Sequence, residues 1–380
     1  MESRAANPLK GENGMHTQLI RLHRANSRAE LTMLQKAEDF IALQKAAMLL
    51  GQGELVAFPT ETVYGLGANA LSADAVGKIF SAKERPADNP LIVHIGKLEE
   101  LRFVARSWPQ LAETLITQFW PGPLTLVLPR KPELAENISA GLDTVAVRMP
   151  KHPIALQLLR ITGLPIAAPS ANRSGRPSPT TAEHVFQDMN EAIAAIIDGG
   201  STNEGVESTV LDLSGDRPAI LRPGSVTREM LLPYIPDLAT EPHSEDLKKS
   251  PGTRYAHYAP RAAVHLYKGS DTEIRERILH DIVAFRSGSR RVAILAPGPF
   301  YETIDADIVV DLSLPADGGD RNAHPYHYVG QNLFAMFRYC DDMHIRTIYV
   351  HGMRPVGLGE AIMNRLERAA SEIIDVGGTS

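Results

Sequence analysis

The segment Lys83-Glu84-Arg85-Pro86, followed by Asn89-Pro90-Leu91-Ile92-Val93-His94, sets two cations, an amide and an imidazole within twelve residues. An arginine fork matches phosphate oxygens and a lysine supplies a mobile point charge, so the pair suits a polyphosphate. At strand spacing Lys83 and Arg85 face the same way, and Pro86 and Asn89-Pro90 stiffen the loop that carries them. A solvent-facing charged turn is the alternative for an isolated Lys-x-Arg. His94 interrupts an apolar run, either as a satisfied sheet residue or as a donor that orients a small polar substrate. Upstream, Pro59-Thr60-Glu61-Thr62-Val63-Tyr64-Gly65-Leu66-Gly67 puts two threonines before glycines that permit close backbone approach. No dinucleotide fingerprint and no Walker-type lysine loop is present, because Gly77-Lys78 is followed by Ile79. A nucleotide must therefore be held another way.

Ser170-Ala171-Asn172 ends an apolar strand, and Ser174-Gly175 and Ser178 follow. Such hydroxyls and amides bind phosphate or ribose, or simply form a polar turn. Arg148 closes a hydrophobic strand, where an unpaired cation is costly; it requires a protein carboxylate or a substrate carboxylate. Glu207-Ser208-Thr209-Val210 and Arg222-Pro223-Gly224 add hydroxyls and another cation. His324 and His327 lack a convincing third ligand, so no metal site is expected. Phe119 and Trp120 read as core.

The elements that carry these groups alternate between strand and helix, which indicates an α/β fold with a mixed sheet. A helix is predicted over 34–51, with Leu34, Ala37, Ile41 and Met48 sharing a face interrupted by Lys45. Strands are predicted at 17–22, 55–58, 91–95, 124–128, 144–148, 166–170, 193–197, 208–213 and 219–222, and later at 263–267, 291–296, 307–311 and 346–351. The chain has 380 residues, 43% hydrophobic and 22% charged, which favours two domains. The boundaries expected are a polar, disordered extension at 1–14, a catalytic domain at 15–235, a linker at 236–261 and a second α/β domain at 262–376. A net charge of −6 argues mildly against general nucleic-acid binding without excluding a basic pocket. Cys340 is the sole cysteine, so no internal disulfide forms. No apolar run reaches the ~18–20 residues of a membrane span and no signal peptide is apparent, so the expected location is cytoplasmic.

Taken jointly, Pro-Thr-Glu-Thr-Val-Tyr-Gly-Leu-Gly, Lys-x-Arg-Pro, Asn-Pro-Leu-Ile-Val-His, Pro-Ser-Ala-Asn-x-Ser-Gly and Glu-Ser-Thr-Val resemble the Sua5/YrdC/YwlC family, the L-threonylcarbamoyladenylate synthases, in its long two-domain form. The likeness covers residues 17–232, continues through 251–260 and extends more loosely beyond. It implies a YrdC-like domain with a twisted mixed sheet and flanking helices, joined by a long linker to a smaller Rossmann-like α/β domain. It implies a nucleotidyltransferase that converts L-threonine, bicarbonate and ATP to threonylcarbamoyl-AMP and pyrophosphate. ATP is then a substrate that carries Mg2+ with it. A downstream tRNA threonylcarbamoyltransferase complex moves the product's acyl group to adenosine 37 of tRNA, and neither stable tRNA binding nor a membrane is required. By the same resemblance Lys83, Arg85, Ser170 and Asn172 form the catalytic group, and Asn89, Thr144, Ser178 and Arg222 also contact ATP. Thr62, His94, Arg148, Ala168 and Ser208 contact threonine. Tyr255, His257 and Tyr258 belong to a lid, which a hydrolysable mixed anhydride requires. The competing class is a non-catalytic RNA-binding module whose Lys/Arg pocket takes backbone phosphate; binding of ATP and L-threonine without RNA separates the two.

Overall fold

The computed structural model describes residues 16–23, 31–251, 258–285, 291–301, 304, 306–314 and 325–377. The expected extension at 1–14, and Tyr255, His257 and His324, lie outside the described residues.

Among the described residues, a ten-stranded mixed sheet is built from β1 (Gln18–Arg21), β2 (Val56–Phe58), β3 (Gly65–Asn69), β4 (Ile92–His94), β5 (Leu124–Pro129), β6 (Thr144–Arg148), β7 (Ile166–Ala167), β8 (Ala195–Asp198), β9 (Thr209–Asp212) and β10 (Ala219–Arg222). Their order is β1-β8-β2-β3-β7-β4-β6-β5-β9-β10. The functional motifs sit at the ends of central strands: β4 pairs in parallel with β6, so that His94 lies opposite Arg148. On its other side β4 pairs antiparallel with β7, which leads into Ala168 and Ser170. A second sheet has β11 (Ala263–Lys268), β12 (Val292–Ala296), β13 (Ile308–Asp311), β14 (Thr347–His351) and β15 (Glu372–Asp375) in the order β13-β12-β14-β11-β15. All its pairings are parallel. Its inner strands are continuous apolar runs because helices cover both faces; the helices are Asp271–Phe285, Pro325–Asp342 and Leu358–Ala369.

Two short strands escape the sequence pattern. β3 reads Gly-Leu-Gly-Ala-Asn, a composition depleted in strands. Its glycine is there for packing: a side chain at Gly67 would lie 2.9 Å from the Phe58 ring and 3.1 Å from Ile166. β15 is the other, a brief edge strand.

The helix Met33–Gly51 begins with a reciprocal cap, in which Gln35 N–H donates to the Thr32 hydroxyl and Thr32 N–H donates to the Gln35 side chain. The expected buried stripe on this helix is incorrect. Leu34, Ile41 and Met48 are 69%, 52% and 63% exposed. The helix instead buries Leu43, Ala46, Ala47 and Leu50 against Val56, Phe58, Leu158 and Ile197. Both faces are apolar, so periodicity alone cannot choose between them. What decides is where the neighbouring helix Pro153–Thr162, which carries Leu158, and the strands bearing Val56, Phe58 and Ile197 come to lie. Leu43→Ala is expected to destabilise the fold by about 2–5 kcal/mol, whereas Met48→Gln should change it by less than about 0.5 kcal/mol. Urea unfolding of the two variants checks this ordering.

Candidate functional site

A cleft of about 630 Å³, counted to its open mouth, lies where the central strand ends meet. Thr62, Arg85, His94, Arg148 and Ala168 line it, together with Ser170, Asn172, Ser208, Arg222 and Tyr258. Residues predicted from separate motifs thus share one cavity. Lys83, Asn89, Thr144 and Ser178 are not in its wall.

Lys83 and Arg85 separate because they do not sit on a strand. Lys83 is the last residue of the helix Ala73–Lys83, and Glu84 caps it in the left-handed region at φ 53°. That reversal sends the side chains different ways. Lys83 is 1% exposed, with Nζ 2.5 Å from the carbonyl oxygens of both Ser170 and Asn172. It braces the Ser170–Asn172 turn from behind. Burial first, then the Arg85 charge, pushes its pKa well below the ordinary lysine value. Arg85 faces the cleft. Its Nη2 donates to the carbonyls of Asn89 (3.2 Å) and Pro90 (3.1 Å), while its buried Nε has no partner among the described residues. Burial lowers its pKa to about 10.

Arg148 meets a protein carboxylate. Its Nη2 lies 2.6 Å from Glu61 Oε1, Nη1 donates to the Thr62 hydroxyl at 2.9 Å, and Nε donates to the Gly122 carbonyl at 3.1 Å. The Glu61 contact is an ion pair by distance but not an aligned hydrogen bond. Glu61 carried no role in the sequence reading; the cost of burying an unpaired cation at residue 148 was the signal for it. His94, opposite, is 3% exposed, with Nδ1 unpartnered among the described residues. Burial, reinforced by the Arg148 charge, lowers its pKa to about 3, so the ring is neutral.

Arg222 reaches across from β10. Nε and Nη2 donate to the Ser208 carbonyl at 3.1 and 2.9 Å, and Nη1 donates to the Pro251 carbonyl at 3.3 Å. The Ser208 hydroxyl lies 2.8 Å from Thr125 Oγ1 and 3.2 Å from Arg222, with no base beside it. Asn172 donates to the carbonyls of Arg173 and Arg176. Besides Lys83, three predicted contacts lie outside the wall. Ser178 is fully buried and donates to Glu207 Oε1 at 2.5 Å. Asn89 is fully buried, its carboxamide unpartnered among the described residues. Thr144 opens β6 opposite Pro129. Of the three residues expected in a lid, Tyr258 falls within the described residues; it lines the cleft at φ 71° and stacks on Phe334 with centroids 5.3 Å apart.

Among the described residues, Arg85, Arg148, Arg176 and Arg222 line the cleft beside one carboxylate residue, Glu207. That excess of cations, a neutral imidazole and small hydroxyls suit a polyphosphate held beside a small polar molecule. Among the described residues no group of three His, Cys, Asp or Glu side chains could hold a metal ion.

Comparison with known proteins agrees with that reading. Residues 48–224 match a family described as "Telomere recombination", and residues 226–371 match "Threonylcarbamoyl-AMP synthase, C-terminal domain". The threonylcarbamoyl-AMP synthase of Pyrococcus abyssi is 46% identical over 86% of this chain and 93% of its own length. That of Bacillus subtilis is 46% identical over 86% of this chain and 92% of its own. A crystal structure of P. abyssi Sua5 complexed with L-threonine superposes with a TM-score of 0.82, at 42% identity, covering 95% of this chain and all of that one. The chain belongs to the threonylcarbamoyl-AMP synthase family.

Two expectations follow from the geometry. Lys83→Met leaves two buried carbonyls without their donor, at about 1–3 kcal/mol each, so thermal unfolding should occur at a clearly lower temperature. His94 is held neutral in the folded protein to about pH 3, while the unfolded chain takes up that proton near 6.5. The unfolded state thus binds more protons between those limits, and stability rises with pH across that window. His94→Gln should flatten this rise, as read by denaturant unfolding at several pH values; an unchanged slope would count against a buried neutral ring.

Proposed function

We propose that this chain makes threonylcarbamoyl-AMP and pyrophosphate from L-threonine, bicarbonate and ATP, supplying the acyl group for modification of adenosine 37 in tRNA. The observation that carries the reading is the cleft: buried Arg222 and half-buried Arg85 and Arg176 suited to a triphosphate, and beside them Arg148, His94 and Ser208 at a scale suited to an amino acid. The relatives that carry this name align over most of both chains.

The reaction is a nucleotidyl transfer. Bicarbonate loses its hydroxyl oxygen as water in giving CO2, and the neutral amine of threonine adds to that CO2 and gives up one proton, leaving a carbamate. A carbamate oxygen then attacks the α-phosphorus, and pyrophosphate leaves. No covalent enzyme intermediate is needed, so placement and charge stabilisation supply the catalysis. Arg85 and Arg222 offset the charge that grows on the departing pyrophosphate. Ser170 and Asn172 orient the phosphates, and Lys83 acts through them by fixing their turn. Arg148 shares its guanidinium between Glu61 and the threonine carboxylate. His94, kept neutral, adds no competing positive charge and is free to orient the amine or hydroxyl, a task Ser208 shares. Asn89, Thr144 and Ser178 belong to the nucleotide end in this reading, although none of them lines the cleft: Asn89 and Ser178 are fully buried, and Thr144 opens β6 at the end away from Arg148. Tyr258 helps exclude water from the mixed anhydride. Glu207, which lines the cleft, is already bonded to Ser178 and Arg365. Any Mg2+ would arrive with the ATP substrate, held by its phosphate oxygens. A tRNA threonylcarbamoyltransferase must consume the product, since a mixed anhydride does not persist in water. Among the described residues no helix is long and apolar enough to cross a membrane.

Purified protein incubated with ATP, Mg2+, bicarbonate and L-threonine should yield the adenylate by mass spectrometry, with threonine-dependent pyrophosphate release. Arg85→Ala should reduce that release by about 100-fold or more. Absence of threonine-dependent pyrophosphate from the unaltered protein would overturn the activity.

A further inference from the structure

The wall of the cleft is braced from behind by the other domain. The helix Leu358–Ala369 buries Arg365 completely, and its guanidinium points away from its own domain. Nε donates to Glu207 Oε2 at 2.8 Å and Nη1 donates to the Pro223 carbonyl at 2.8 Å. The same group lies 5.7 Å from the centre of the Tyr258 ring. The other Glu207 oxygen accepts the Ser178 hydroxyl, and Glu207 itself lines the cleft. Pro223 follows Arg222, another lining residue. One buried cation thus touches the supports of Ser178, Arg222 and Tyr258 together.

We propose that Arg365 is a positioning residue of the active cleft, supplied by the second domain, which holds Glu207, and through it the nucleotide-binding wall, in its working arrangement. The inference deepens the activity proposed above and rests on it. Burial alone would raise the Glu207 pKa; Arg365 first, then Arg222 and the Ser178 hydroxyl, reverse this and keep the carboxylate ionised. The arrangement is sterically specific. At Gly205, two residues before Glu207, any side chain would come within 2.3 Å of the Gly330 carbonyl in the second domain. The domains therefore dock with their backbones in contact beside this pair. Truncating Arg365 leaves a buried carboxylate unpaired, so Glu207 must either take up a proton or turn toward the cleft, where it repels a polyphosphate.

The test compares Arg365→Ala, Arg365→Lys and Glu207→Gln in the full chain. ATP binding is measured by calorimetry, and turnover by pyrophosphate release. Arg365→Ala should weaken ATP binding and raise its KM by about tenfold, with kcat changed less. Millimolar guanidinium should restore much of the loss in Arg365→Ala and nothing in Glu207→Gln. Arg365→Lys, which keeps the charge without the fork, should fall between. Unchanged ATP affinity in all three variants, or a loss in folded Arg365→Ala that neither guanidinium nor lysine relieves, overturns the role. If Arg365→Ala does not fold, the lysine variant decides by its KM against its kcat. An unaltered chain that binds ATP but forms no adenylate would sink the activity, while the binding constants of the variants would still decide the role of Arg365.

Discussion

Positive charge buried around a cleft is the constraint on which the rest of this structure turns. Lys83, Arg148, Arg222, Arg338 and Arg365 are each at most 5% exposed. A cation withdrawn from water loses several kcal/mol of hydration and survives only when its donors are met. The chain answers this with carbonyls and carboxylates from distant segments: Ser170 and Asn172 for Lys83, Glu61 for Arg148, Ser208 and Pro251 for Arg222. Each cation is bound to a particular place, and the turns and strand ends around it are held there in return. The cleft is rigid because its charges are expensive to misplace.

The same logic joins the two sheets. Arg338, on the helix Pro325–Asp342, donates to both Asp188 (2.8 Å) and the Pro177 carbonyl (2.5 Å) in the first domain. Asp188 also pairs with Arg176, which lines the cleft, and its charge partly offsets the lowered pKa of Lys83. Arg365 does the equivalent work at Glu207. The second domain therefore reaches the site through two buried arginines rather than through a broad apolar face alone. Tyr258 lies beside Arg365, stacked on Phe334 of the second domain while lining the cleft of the first. One packing arrangement thus joins the cleft wall to the docked domain.

Neutral His94 beside charged Arg148 illustrates how a low-dielectric wall divides roles among neighbours. One ring and one guanidinium face each other across paired strands. Burial first, and then the Arg148 charge, keeps the imidazole neutral. Under the proposed function, a substrate amine and carboxylate would meet there a hydrogen-bonding ring and a fixed charge.

Much of this was legible in the residues. Strand ends bearing His94, Arg148, Ser170 and Arg222 were readable because apolar runs that stop at a polar group mark where a buried strand opens to a cavity. Motif spacing pointed to one shared site, and the alternation of elements pointed to a mixed sheet. What tertiary structure decided was direction and partnership. Lys83 turned behind the wall because Glu84 adopts a left-handed cap, a backbone choice no spacing rule reveals. The helix Met33–Gly51 buries Leu43, Ala46, Ala47 and Leu50 because that face meets Leu158 of a helix distant in sequence and Val56 and Phe58 of the sheet. Arg365 finds Glu207 across 158 positions and Arg338 finds Asp188 across 150. Local periodicity records which side of an element is apolar; it carries no information on which distant charge will be brought opposite, because that depends on how whole domains pack.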